Sequence, residues 1–155
     1  MKNSFILVLN SGSSSVKYAL FSVQSLKLVV KGIEENVGLP QGPKNHHEAL
    51  NKIFTLLEKG GYVGDLKEIE IVGHRVVHGG EYFRAATIIT GDVLQKIKDL
   101  SLMAPLHNPP NILGIEICQK LLPWAKNIAV FDTEFYSSLP RESYIYALPY
   151  EFYEK

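Results

Sequence analysis

The residues best suited to chemistry lie in polar breaks between apolar runs. The first break, Asn10-Ser11-Gly12-Ser13-Ser14-Ser15, separates Phe5 to Leu9 from Val16 to Val23, and Lys17 follows at once. The pattern predicts a strand, a tight polar turn and a second strand. Gly12 would let the backbone take positive φ or come close to a ligand, and the hydroxyls and amide supply donors. Several small donors and one ammonium suit phosphate oxygens, or a metal carried by them. The loop has neither P-loop spacing nor the three glycines of a dinucleotide turn, so a plain serine-rich hairpin turn is the competing reading.

A second candidate is Arg75, one of three arginines in the chain, set among apolar residues in Ile69 to Val77. Strand alternation puts His74, Val76 and His78 on one face and Arg75 and Val77 on the other. A guanidinium on an inner strand needs an anionic partner. That partner is either a carboxylate such as Glu81, in a buried ion pair, or a ligand carboxylate whose hydrocarbon part meets Val77. On a helix, His74 and His78 would be a zinc pair. The β-branched neighbours, Gly79-Gly80 and the lack of a Glu after His74 argue against it.

His107 sits in Ala104 to Asn111 (APLHNPPN), where three prolines stiffen a loop; Asn108 is a candidate cap for a helix whose first position is Pro109. A histidine at a helix entrance is placed to meet an anion, although a lone loop histidine is more often a satisfied surface group. Asp132 ends the apolar run Asn127 to Thr133, which reads as a central strand. Ligands of α/β sheets gather outside the carboxyl ends of strands, so this carboxylate is a candidate magnesium ligand or proton acceptor. An N-cap, or a partner for a lysine, is the alternative.

Other segments must position these groups. Leu26 to Ile33 is close enough to pair with the preceding strand and complete a three-stranded antiparallel start. After a Pro- and Gly-containing loop, Asn45 and Glu48 resemble a capping box ahead of a helix with Ala49, Leu50, Ile53, Phe54, Leu56 and Leu57 inward. Gly60-Gly61 ends it. A second helix spans Gly91 to Leu102, with Val93, Leu94, Ile97 and Leu100 inward, and a third spans Ile112 to Leu122, with Leu113, Ile117 and Leu121 inward.

With 155 residues, 46% of them hydrophobic, the chain can bury a core of its own as one domain. Sixteen basic and sixteen acidic residues balance, so no global field gathers nucleic acid or an anionic membrane, and anion binding must be local. The single cysteine, Cys118, reads as a buried helix residue and fits a reducing, cytoplasmic setting. Phe5 to Leu9 is too short for a signal-peptide core, and no stretch approaches membrane-spanning length.

Taken together, NSGSSSVK at Asn10 to Lys17, GHRVVHGGEYF at Gly73 to Phe83, APLHNPPNILGI at Ala104 to Ile115 and VFDTEF at Val130 to Phe135 resemble the acetate kinase family. These acetokinases include propionate and butyrate kinases and belong to the actin, Hsp70 and sugar kinase superfamily. The resemblance implies an α/β, ribonuclease H-like lobe with a mixed sheet: three antiparallel strands, then alternating helices and strands. It implies transfer of the γ-phosphoryl of ATP to acetate, giving acetyl phosphate and ADP. By resemblance Asn10 assists Mg2+, while Lys17, Ser13 and Ser15 serve ATP. Arg75 binds the acyl carboxylate, Val77 and Leu106 line the methyl pocket, and His107 and Asp132 are catalytic-site residues. The carboxylate is already a nucleophile, so Asp132 is expected to organise magnesium or water rather than remove a proton.

The family usually continues its FDT motif with Ala-Phe-His, where this chain has Glu134-Phe135-Tyr136. Family members are also expected to be far longer. The resemblance thus implies one N-terminal lobe over 1–155, without the adenosine-binding lobe, inactive alone and dimeric as a full-length enzyme. A propionate or butyrate kinase lobe, and a non-catalytic carboxylate-binding domain, are the alternatives.

Overall fold

The computed structural model describes residues 3–154. The chain opens with three antiparallel strands, β1 (Phe5–Ser11), β2 (Ser15–Ser22) and β3 (Leu28–Glu35). Then follow helix α1 (His46–Lys59), β4 (Ile69–Val76), the short β5 (Thr87–Ile88), α2 (Gly91–Asp99), α3 (Asn108–Leu121) and β6 (Lys126–Phe131). All six strands form one sheet in the order β3-β2-β1-β4-β6-β5. β4 runs parallel to both β1 and β6, so the carboxyl ends of β1, β4 and β6 share one edge. This is the expected ribonuclease H-like arrangement of three antiparallel strands followed by alternating helices and strands.

Alternation along the strands decides which sheet face is covered. Leu7, Leu9, Val16, Leu20, Val72 and Val76 point to the helical side, where they pack with Leu50 and Ile53 of α1 and with Ile115 and Cys118 of α3. Each such side chain contributes roughly 1.5–3 kcal/mol when fully buried, so this layer holds the lobe together. The opposite face carries Val8, Lys17, Lys31, Ile33, Arg75 and Val130, all exposed. Helices therefore cover one face and leave the other open.

Helix α1 begins as its sequence predicts: Asn45 Oδ1 accepts the Glu48 N–H at 2.9 Å. The Glu48 carboxylate accepts from the Lys44 N–H, one residue before the cap, rather than from Asn45. Leu56, expected inward, is exposed because the buried stripe runs through Ala49, Leu50, Ile53, Phe54 and Leu57. The third helix differs more. It starts at Asn108 rather than at Ile112; Ile117 is buried and Leu121 packs against the core as expected, Ile112, Ile115 and Cys118 are buried beside them, and Leu113 is exposed. Its cap position is His107, with no side-chain capping bond, and Asn108 bonds elsewhere. Helix α2 ends at Asp99 and continues as a tighter turn, Leu100–Leu102.

At the amino-terminal edge of the sheet, Trp124 Nε1–H donates to the Ile69 carbonyl at 3.2 Å and pins the start of β4. Among the described residues, no helix is long and apolar enough to cross a membrane.

Candidate active site

Three polar side chains meet at the carboxyl edge of β1, β4 and β6, on the open face. Arg75 Nε–H donates to Asp132 Oδ1 at 2.9 Å and Oδ2 at 3.2 Å, and Nη2–H donates to Oδ2 at 2.6 Å. Nη1–H reaches Asn10 Oδ1 at 3.3 Å. The reason is topological. Arg75 pairs with Val130 in the β4–β6 ladder, so Asp132, two residues further along, stands beside the guanidinium, while β1 brings Asn10 from the other side.

This corrects the partner suggested for Arg75, which is Asp132 rather than Glu81. It also corrects its environment: β4 is an inner strand, but Arg75 projects from its uncovered face and is 48% exposed in its side chain. The hydrogen bond to Asp132 raises the Arg75 pKa above its ordinary value, partial desolvation opposes this, and Coulomb attraction to Asp132 adds to it. The guanidinium is thus a fixed positive charge. It carries five N–H donors. The bonds from Nε, Nη1 and Nη2 leave one donor on each terminal nitrogen, enough to take a second carboxylate while Asp132 holds the group in place.

The serine-rich loop lies next to this cluster. Lys17 faces Asn10 across the β1–β2 ladder, and both line a shallow depression of about 460 Å³ with Val8, Lys31 and Ile33 on the open face. Ser13 is exposed at the loop tip, and Ser15 starts β2. Gly12 is not among the described glycines with positive φ, so of its two expected uses that one is not realised. Its N–H instead closes the turn on the Ser15 carbonyl at 2.8 Å, and a Cβ there would meet that oxygen at 3.4 Å.

The remaining candidates are arranged by α3. Val77 lies just past β4, partly buried, with its N–H on Asn111 Oδ1 at 3.2 Å. Leu106 and His107 lie on the exposed approach to α3, and among the described residues no side-chain hydrogen bond joins His107 to the Arg75 cluster. The glycine at 114 lets α3 approach closely, since a Cβ there would stand 2.7 Å from Ser11 Cβ.

Three residues that sequence reasoning left unassigned, or assigned otherwise, build this corner. Asn111, buried, donates Nδ2–H to the Ser11 carbonyl at 2.7 Å while accepting from Val77, so it ties β1 to β4. Asn108, fully buried, accepts the His78 N–H and donates to the His78 carbonyl, both at 3.1 Å. His46 reaches the Gly12 carbonyl. Two asparagines three apart among prolines were the available signal; nothing in the sequence pattern marked His46.

Below the site, His74 is buried and bonds Asn127 Oδ1 at 2.8 Å, with Asn127 Nδ2–H on the Ala125 carbonyl. Burial pushes its pKa down to about 4, against the opposing effect of that bond. No group of three or more His, Cys, Asp or Glu suited to a metal occurs among the described residues, His74 and His78 included.

A family model described as the Acetokinase family matches residues 5–155. The chain is 46% identical to acetate kinases of Thermosipho africanus and Thermotoga maritima, with 97% of it aligned to 41% and 42% of their respective lengths. Among solved structures, Porphyromonas gingivalis acetate kinase superposes with a TM-score of 0.89 at 38% identity, over 97% of this chain and 43% of that one. A Francisella tularensis propionate kinase superposes with a TM-score of 0.86 at 37% identity, over 96% and 42%.

Proposed function

Because the chain belongs to the acetokinase family, we propose that it is the lobe that positions the acyl substrate and the transferred phosphate in an acetate kinase. The reaction moves the γ-phosphoryl of ATP to acetate, giving acetyl phosphate and ADP. The chain spans 41% of the first of these relatives, so the adenosine pocket and the rest of the machinery are assigned to sequence beyond this lobe. A cytoplasmic homodimer is part of the same proposal.

The observation that carries it is the Asp132–Arg75–Asn10 cluster on an open face beside the serine-rich loop. In this reading the two outward N–H donors of Arg75 take the acetate carboxylate, and Val77 and Leu106 flank its methyl group. His107, at the entrance of α3, faces the transferred phosphoryl. Lys17, Ser13 and Ser15 hold ATP phosphate oxygens. Since acetate is ionised and already nucleophilic, no base is needed; Asp132 orients Arg75, and the lobe contributes alignment and charge neutralisation.

The donor set fits a magnesium ion brought in by phosphates better than one held by protein alone. One carboxylate, Asp132, and one amide oxygen, Asn10, share the cluster, and Mg2+ is commonly held by one or two carboxylates plus substrate oxygens and water. When bound, the ion would neutralise phosphate charge.

The test is a nuclear magnetic resonance titration of the chain with acetate. Arg75 Nε–H and Val77 amide signals are expected to shift, and the Val77 shift to vanish in Arg75→Ala; no shift in the wild type would reject the assignment. A propionate kinase is the second reading, favoured by the likeness to the Francisella enzyme. Tighter binding of propionate than acetate in the same titration would select it.

A further inference from the structure

Four carbonyl groups of the serine-rich loop are tied back into the protein. The Ser11 oxygen accepts from Asn111 Nδ2 at 2.7 Å, the Ser14 oxygen from the Val37 N–H at 3.0 Å, and the Ser15 oxygen from the Gly12 N–H at 2.8 Å. The Gly12 oxygen lies 2.6 Å from His46 Nε2. A carbonyl can only accept, so Nε2 carries the proton and His46 donates. His46 is 8% exposed and reaches the loop from the first turn of α1, 34 residues away in the chain. Ser13 and Ser14, in contrast, are exposed at the tip.

We propose that His46 is a positioning residue for phosphate: by holding the Gly12 carbonyl inward it keeps the N–H and hydroxyl donors of Ser13 to Ser15 turned toward the open face. The loop binds anions only when its acceptors point away from them, because a peptide that flips would present a carbonyl dipole to a phosphate oxygen. Two of the other three ties come from backbone N–H groups, and Asn111 acts on Ser11 at the loop's base. His46 is the side chain that fixes the peptide after Gly12, at the tip. This rests on the reading of the loop as a phosphate site and adds the group that orders it.

The experiment titrates the 155-residue chain with magnesium pyrophosphate and follows the backbone amide signals of Ser13, Ser14 and Ser15, with the melting temperature measured in parallel. In the wild type these amides shift; in His46→Ala the apparent affinity falls about fivefold, the net effect expected for one hydrogen bond. In His46→Gln, whose amide can donate to the same carbonyl, affinity recovers to within about twofold of wild type. A purely structural His46 would instead lower the melting temperature while leaving affinity unchanged well below it. Equal affinity of wild type and His46→Ala, or failure of His46→Gln to recover while it remains folded, overturns the positioning role alone. Silent loop amides in the wild type overturn the phosphate reading itself.

Discussion

Asp132 grips the guanidinium of Arg75 along its Nε edge, from the end of the neighbouring parallel strand, and leaves the outer donors of that guanidinium free. The pair is therefore a mount for the guanidinium rather than a closed ion pair. With both side chains well exposed to water, its contribution to stability is small, so the arrangement bears on orientation more than on folding.

From this follows a pair of substitutions. In a full-length enzyme carrying this lobe, Arg75→Ala should raise the acetate KM and lower turnover, with kcat/KM down roughly 10- to 100-fold, since a charge-assisted bond contributes about 1.5–3 kcal/mol. Asp132→Asn should have a smaller effect on acetate KM and leave the melting temperature nearly unchanged. Unaltered acetate kinetics in Arg75→Ala, with lost thermal stability, would return the residue to a structural role.

Lys17→Ala should separate the two substrates. Lys17 lies on β2 beside the serine-rich loop, and Arg75 on β4, with β1 between them. Steady-state rates should show a higher ATP KM and an acetate KM changed by less than about twofold. Equal loss toward both substrates would count against this division.

Acid should weaken the fold through His74. Its folded pKa is depressed to about 4 from the ordinary 6.5, so the unfolded chain binds the proton first. Stability is complete above pH 6.5, declines as pH falls through the window down to about 4, and levels off below. The loss attributable to this group is about 3 kcal/mol. Urea unfolding between pH 7 and 4 measures it, and His74→Gln should flatten the slope over that window. An equally steep slope in the variant would assign the acid sensitivity to other groups.

Taken alone, the 155-residue chain should fold cooperatively and make no acetyl phosphate. Its core is continuous from β1 through α1 and α3 to β4. Phosphoryl transfer, however, needs nucleotide and acceptor fixed together and water excluded, whereas this site stands on an open face. We expect ATP binding weak enough to show only in amide shifts and not in calorimetry at millimolar levels, and no hydroxamate in a trapping assay. Hydroxamate formed by the pure chain, and abolished by Arg75→Ala, would show that the lobe carries more of the site.

Much of this was legible in the residues, and the exceptions share a cause. Strands β1 to β4 and β6 carry apolar runs or β-branched residues over enough positions to declare themselves, but β5 is two residues, Thr87–Ile88, too few for any period to show. The inward face of α3 was only partly legible: Ile117 and Leu121 meet the core as expected, but Ile112 and Leu113 are adjacent apolar residues, and their pattern alone does not tell that Ile112 is buried and Leu113 exposed. Arg75 could be recognised as needing an anion, but not which one, since Asp132 lies 57 residues away. His46 was silent because its partner is a backbone carbonyl, which every residue has; Asn111, which bonds the Ser11 carbonyl and the Val77 N–H, was hinted at only by its spacing from Asn108.

The bond between Trp124 and Ile69 has a practical side. Trp124 is the chain's one tryptophan, fixed to the first residue of β4, while Arg75 is six residues further along the same strand. At the rise of an extended strand that separation is roughly 20 Å. Intrinsic fluorescence therefore watches the end of the sheet remote from the proposed ligand site. Its emission should follow denaturation faithfully and stay dark to acetate, so a tryptophan trace that moves on adding ligand would signal a change propagated through β4.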